Sequence, residues 1–222
     1  FQAQSKDEVI RQVNTFRDLF NKIIWFDDVD PSGSDSFWII KQVDLFLKKQ
    51  VLKDKEKYTI NEYDNSLRPW ISKEIIIDKY PNYVPCPRNQ LYKIKTGWNI
   101  GLCNYSVNDR VLKWFDRLLQ YKQPKLVSSK KYRPIDSVFR GSVKADNDLI
   151  NNQRNITLNK LNNLQKKYNI ISGGYVSKQK YLKELSKSKT SVSPFGWGEI
   201  CFRDFESIIA GNLLIKPDMS HI

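Results

Sequence analysis

The chain has 222 residues, with 37 Lys and Arg against 24 Asp and Glu and a formal net charge of +13. At 40% hydrophobic residues it is too apolar for a disordered polybasic protein, and long enough for one large or two small domains with proper cores. One histidine, His221, one residue from the end of the sequence, leaves no imidazole expected in the interior for Ser-His-Asp chemistry or a multi-histidine metal site.

In chain order, Val9, Val13, Phe16 and Phe20 recur at helical spacing and predict an amphipathic helix over residues 7–20. KIIWF, residues 22–26, is a short run of β-formers that ends at an acidic Gly/Ser/Pro loop over 27–36. Ile40, Val43, Leu47 and Val51 share a stripe that predicts a second helix over 37–52. Strands are expected at 75–77 and 99–103, loop at 80–89, and a helix over 108–121. Residues 123–134 turn polar and basic and read as a linker.

After the linker a strand is predicted at 137–143, a long polar helix at 148–168 and a strand at 169–171. A short helix follows at 177–186, then a strand at 190–193, a helix at 199–210 stopped by Gly211, and a strand at 213–215. This alternation is the rhythm of βαβ units, hence a parallel sheet with helices on its faces. The expected organisation is two α/β lobes, residues 1–125 and 135–222.

Ligands of such sheets bind at the carboxyl ends of strands, against the helix N-termini that follow. The turn Ser193-Pro194-Phe195-Gly196-Trp197-Gly198 occupies such a place. Its glycines are expected to let backbone approach a ligand. Glu199, Arg203 and Glu206 fall on one face of the predicted helix, and Cys201, Phe202, Phe205, Ile208 and Ile209 on the other. The bland alternative is an exposed Glu199–Arg203 pair of a few tenths of a kcal/mol.

The run SKTSVSPFGWGEICFRDFESIIAGNLLIKPD, residues 188–218, resembles the donor-binding segment of GT-B glycosyltransferases, closest to the exostosin-like and family-1-like bacterial sugar transferases. The stretches IIWFDDVDPSG and VDLFLKKQVLKD resemble the acceptor-side domain of the same proteins. The resemblance implies two Rossmann-like lobes, with the cleft between them as active site, truncated at one or both ends. It implies transfer of a sugar from a nucleotide diphosphate sugar to a hydroxyl of a glycan or lipid-linked acceptor, in the synthesis of a surface polysaccharide or glycoconjugate. No cofactor is then required, and the nucleotide sugar is a substrate.

Carried over by position, Glu206 would accept from the ribose hydroxyls and Arg203 would face the diphosphate. Glu199, as a catalytic residue, would lie by the donor sugar with Ser193, Phe195, Gly196 and Gly198. Arg140, beside Gly141, would be a second cation for the pyrophosphate, with Arg154 a weaker candidate.

Several features compete with this site. Inversion needs a base near the attacking hydroxyl, for which Asp27 and Asp30 are the candidates. Asp28 and Asp30 also form a DxD pair that suits a divalent ion, a rival to the metal-free reading. Basic and aromatic residues interleave over 93–98 and 130–133, in the manner of a nucleic-acid surface. No recognised nucleic-acid motif accompanies them, so anionic lipid or an acidic acceptor is the expected partner. A basic charge fits anionic partners and equally fits an AT-rich genome. Cys86, Cys103 and Cys201 lie apart without a CxxC pair, which favours a reducing compartment. No run approaches the ~20 apolar residues of a membrane span. The expected location is therefore cytoplasmic, peripheral at the membrane. The alternative function is a non-enzymatic basic module that binds nucleic acid or anionic membrane.

Overall fold

The computed structural model describes residues 5–60, 84–97, 126–128, 130–143 and 148–222. The strand predicted at 75–77, the strand at 99–103 and the helix at 108–121 lie outside them. Two compact units are formed. The first comprises Phe1–Asn99, Gly196–Ile200 and Asp218–Ile222, and the second Ile100–Phe195 and Cys201–Pro217.

In the first unit, helix α1 (Lys6–Arg17) opens where the Ser5 hydroxyl accepts the Glu8 N–H, satisfying one of the free donors of the first turn. It buries Val13. Strands β1 (Ile24–Asp27), β2 (Leu45–Lys48) and β3 (Ile94–Thr96) form a parallel sheet in the order β1-β2-β3. The core gathers Phe37, Ile39, Ile40, Phe46, Tyr58 and Ile94. Phe37 stacks against Phe46 and Tyr58 with ring centroids 5.2 and 5.1 Å away.

The helix expected over 37–52 is replaced by a 3-10 turn, Phe37–Gln42, and the strand β2. A helical stripe and a strand can share apolar positions over so short a run. Phe-Trp-Ile-Ile loses side-chain freedom in an α-helix, and the period-two burial of Phe46 and Lys48 in β2 wins. Residues 93–98, read as a basic-aromatic surface, contain strand β3. Lys93 is buried with its ammonium donating to Ile40 O at 3.0 Å, so it is no part of an exposed patch.

In the second unit, β4 (Ile135–Arg140), α2 (Asp148–Leu164), β5 (Ile170–Gly173), α3 (Lys178–Ser186), β6 (Ser188–Val192), α4 (Phe202–Ile209) and β7 (Leu213–Ile215) follow the predicted alternation. All pairings are parallel and the order is β5-β4-β6-β7. On one face Val138 packs with Leu185, Ala210, Ile171 and Tyr181.

Two local expectations are corrected. Helix α4 begins at Phe202, so Glu199 is not on it and does not share a face with Arg203 and Glu206. Its buried positions are Asp204 and Ser207, while Ile208 is 55% exposed, so the presumed apolar face is not the buried one. The stretch read as a linker is docked at its described ends. Val127 N–H donates to Ile209 O, and buried Arg133 donates to the carbonyls of Ser188 (2.7 Å), Ala210 (2.6 Å) and Ser128 (3.3 Å). Arg133 therefore leaves the basic patch proposed for 130–133, whereas Lys130, Lys131 and Tyr132 are exposed.

Candidate functional site

The order β5-β4-β6-β7 sends the chain from β4 to one neighbour and then back past β4 to the other. Crossovers diverge between β4 and β6, and the carboxyl ends of those strands are where a sheet of this kind opens a crevice for a ligand. The segment leaving β4 there is Arg140-Gly141-Ser142.

Three arginines meet at this segment. Arg140 is held by a bidentate pair, its Nε and Nη2 each 2.8 Å from a Glu184 carboxylate oxygen. Arg203, from α4, donates to Arg140 O at 2.9 Å and lies over the Phe139 ring at 5.4 Å. Arg154, from α2, donates to Ser142 O at 2.6 Å. The two guanidiniums thus grip carbonyls on either side of Gly141, where a Cβ would lie 2.9 Å from Phe139 Cζ. Burial, and then the positive charge of Arg203, push Arg154 below its ordinary pKa. Among the described residues no carboxylate forms an ion pair with Arg154 or Arg203, whereas Arg140 is matched by Glu184. Two like charges held together with no acid partner among the described residues favour an anion between or beside them.

The turn before α4 is arranged otherwise than its sequence suggests. Asp204 caps its own helix. Its carboxylate accepts from Cys201 N–H at 3.0 Å, from Ser193 Oγ at 2.5 Å and from Lys216 Nζ at 2.9 Å. The partial positive charge of the first turn is therefore met by an internal acid. Buried Ser193 spends its hydroxyl on that acid, and buried Phe195 lies under Lys216, 5.6 Å from ring centroid to Nζ. Glu206 is paired with Lys178 and adjoins Tyr181, whose phenol is pushed up by burial first and by the Glu206 charge second.

Glu199, Gly196 and Gly198 belong to the first unit. Glu199 is fully buried and accepts from Ser32 N–H at 2.9 Å and from the Ser32 hydroxyl. His221, expected at the periphery, has Nε2 3.5 Å from Glu199 Oε1 and is itself largely buried. A Cβ at Gly198 would strike the Asp30 carbonyl, so its close backbone approach is to protein and not to a ligand. Gln50 fastens the same corner, donating to Asp30 O at 2.6 Å and accepting from Ile200 N–H at 3.1 Å.

Asp27 ends β1 as the partner of Lys48 at 2.6 Å, both buried, so neither Asp27 nor Glu199 is open to an acceptor or donor sugar in this structure. Burial pushes Lys48 below its ordinary pKa, and the charges of Asp27 and Glu199 oppose that shift. The rival DxD pair is bridged by a lysine. Lys49 Nζ lies 2.9 Å from Asp28 Oδ1 and 3.0 Å from Asp30 Oδ1, where a cation would sit. Among the described residues no group of three or more His, Cys, Asp and Glu is placed to hold a metal ion.

Of the residues singled out from sequence, the structure therefore gathers Arg140, Gly141, Arg154 and Arg203. It places Glu206, Ser193 and Phe195 in neighbouring internal contacts, and it gives Asp27, Asp30, Gly196, Gly198 and Glu199 to another unit. Sequence reading missed Glu184, the counter-ion of Arg140. Its signal is faint, because a glutamate on a short basic helix normally reads as a solvated charge.

Fold and site define an α/β protein of Rossmann-like architecture, with two parallel sheets flanked by helices. No family model, curated protein or solved structure matches the chain. Among the described residues, no helix is long and apolar enough to cross a membrane.

Proposed function

We propose that the chain belongs to a GT-B-type glycosyltransferase and that its second unit binds a nucleotide diphosphate sugar at the carboxyl ends of β4 and β6. The sugar passes to a hydroxyl of a glycan or lipid-linked acceptor, at the cytoplasmic side of a membrane. The observation that carries this reading is the pair of guanidiniums, Arg154 and Arg203, gripping the loop after the central strand at the point where the crossovers diverge.

Transfer by this route frees a diphosphate, so negative charge grows on the leaving group as the glycosidic bond breaks. Fixed cations aimed at that charge lower the barrier, and no metal is needed for that role. Arg154 and Arg203 supply the charge, while Arg140, locked by Glu184, frames the loop. Of the acceptor-side candidates Asp30 keeps a half-exposed carboxylate, and it is the base this reading favours over buried Asp27.

A thermal-shift panel of UDP, GDP, CMP and ADP, with and without EDTA, tests the reading. A nucleotide at 100 times its dissociation constant adds about 2.7 kcal/mol to stability. The expected result is a chelator-insensitive shift by one nucleoside diphosphate that falls sharply in Arg154→Gln and in Arg203→Lys. Losing a charge-assisted hydrogen bond of about 1.5–3 kcal/mol weakens binding roughly tenfold to a hundredfold. No shift by any nucleotide, or a shift untouched by both substitutions, sinks the reading. The alternative, a basic binding module, predicts instead that Lys130→Glu with Lys131→Glu abolishes capture of an anionic partner.

A further inference from the structure

The second unit contains a cavity of about 630 Å³ that none of the three arginines lines. Its floor is the sheet face carrying Ser137, Thr190, Val192 and Ile215, opposite in pleat to Val138. One wall is α2, through Gln153, Thr157, Leu161 and Leu164, and the other is formed by Pro194 and Pro217. The volume lies within the ~300–1,000 Å³ of small-molecule sites, and the lining has their composition, apolar with a few polar groups.

Two of those polar groups are unspent. Ser137 Oγ and Gln153 Oε1 are buried without a hydrogen-bond partner, a state that costs about 1–3 kcal/mol per group. Ser137 is 8% exposed and faces Thr190 across the β4–β6 pair. At the same end stand Lys160 and Lys189, and the cavity continues past Val192 to Lys216. Asp136 is the one acid in the lining and is already paired with Lys189 at 2.7 Å. Lys216 is itself matched by Asp204 at 2.9 Å, so among the described residues the positive surplus on the rim of the apolar trough is that of Lys160.

From the apolar floor, the unspent hydroxyl and the lysine surplus, we propose that this cavity binds a single-chain anionic amphiphile. Its chain lies along Leu161, Val192 and Ile215, and its phosphate-like headgroup meets Lys160, Lys189 and the Ser137 hydroxyl. The inference does not rest on the nucleotide reading.

Isothermal titration with dodecyl phosphate below its micelle concentration is the test, with dodecyl maltoside as the neutral-headed control. Dodecyl phosphate should bind at one site per chain, and the maltoside at least about tenfold more weakly. Lys160→Glu should weaken the phosphate by a similar factor, and Asp136→Asn, which releases Lys189, should strengthen it. Thr157→Trp fills the trough and should abolish binding. Leu164→Glu at the half-open mouth serves the same purpose if the tryptophan variant fails to fold, as judged by circular dichroism. Equal binding of the two headgroups, binding that survives both blocking variants, or no binding overturns the proposal. So does concentration-dependent dimerisation removed by Leu164→Glu, which would make the trough a contact between copies.

Discussion

Lys48 and Asp27 end adjacent parallel strands and face each other at 2.6 Å with almost no exposure. The ammonium group also donates to Gly33 O at 2.7 Å, so one buried cation ties the carboxyl ends of β1 and β2 to the loop between them. Such a pair stabilises little over an apolar substitute, yet breaking it leaves a buried charge uncompensated. Asp27→Ala and Lys48→Met should each cost about 3–5 kcal/mol. The double variant Asp27→Ala with Lys48→Met should cost less than their sum, by more than about 1 kcal/mol. Urea denaturation of the four proteins measures this, and simple additivity would show that the pair is not the unit of stability.

Gly198 and Gly174 make a matched contrast. A methyl group at Gly198 meets the Asp30 carbonyl and Gln50 Nε2, both part of a fastened corner, whereas at Gly174 it meets nothing within 4 Å. Gly198→Ala should cost about 1–3 kcal/mol through overpacking. Gly174→Ala should lie within about 0.5 kcal/mol of the parent. Equal midpoints in thermal melts would refute the close approach.

Arg133 closes the second unit from within. Its guanidinium meets the carbonyl of Ala210, the C-cap of α4, and that of Ser188, the first residue of β6. A helix end left without such a partner exposes free acceptors. Arg133→Met should cost about 3 kcal/mol, since charged hydrogen bonds contribute about 1.5–3 kcal/mol each. Arg133→Lys, which keeps the charge and loses the fork, should fall between the two. Chemical denaturation followed by circular dichroism gives the ranking, and an unchanged Arg133→Met would assign the burial no energetic role.

Asp44 carries a pH signature. The Ile23 N–H first, and Arg17 second, hold its carboxyl below the ordinary value of 3.8. A folded pKa beneath the unfolded one means that the unfolded chain binds more protons in that window. The stabilisation is thus complete above 3.8 and disappears as pH falls through the folded value. Asp44→Asn should lower stability at neutral pH and flatten the acid limb below about pH 4. Parallel acid limbs for the two proteins would exclude the effect.

Much of the second unit was legible in the sequence. Its strands and helices alternate with little ambiguity, Ser177 caps α3 by accepting Lys180 N–H, and α4 stops at Ala210 before Gly211, whose φ is 73°. These are properties of a few neighbouring residues, so the chain carries them locally. Periodicity failed at 37–52, where aromatic and β-branched residues satisfy a helical stripe and a strand alike. It also failed to register β3, which is only three residues long.

The site was legible in part. Arg140, Gly141 and Arg203 are singled out through the resemblance to a donor-binding segment, with Arg154 as a weaker candidate. That Arg154 reaches the same loop, and that Glu184 neutralises Arg140, depends on which strands neighbour one another. Glu199 shows the same limit more sharply, for its partner Ser32 lies 167 residues away. Sequence alone determined the element types of the second unit and the positive charge, because hydrophobic spacing and composition are read residue by residue. Tertiary structure alone decided which charges are paired and buried and which have no acid partner among the described residues, because strand order brings distant side chains together and local spacing does not encode it.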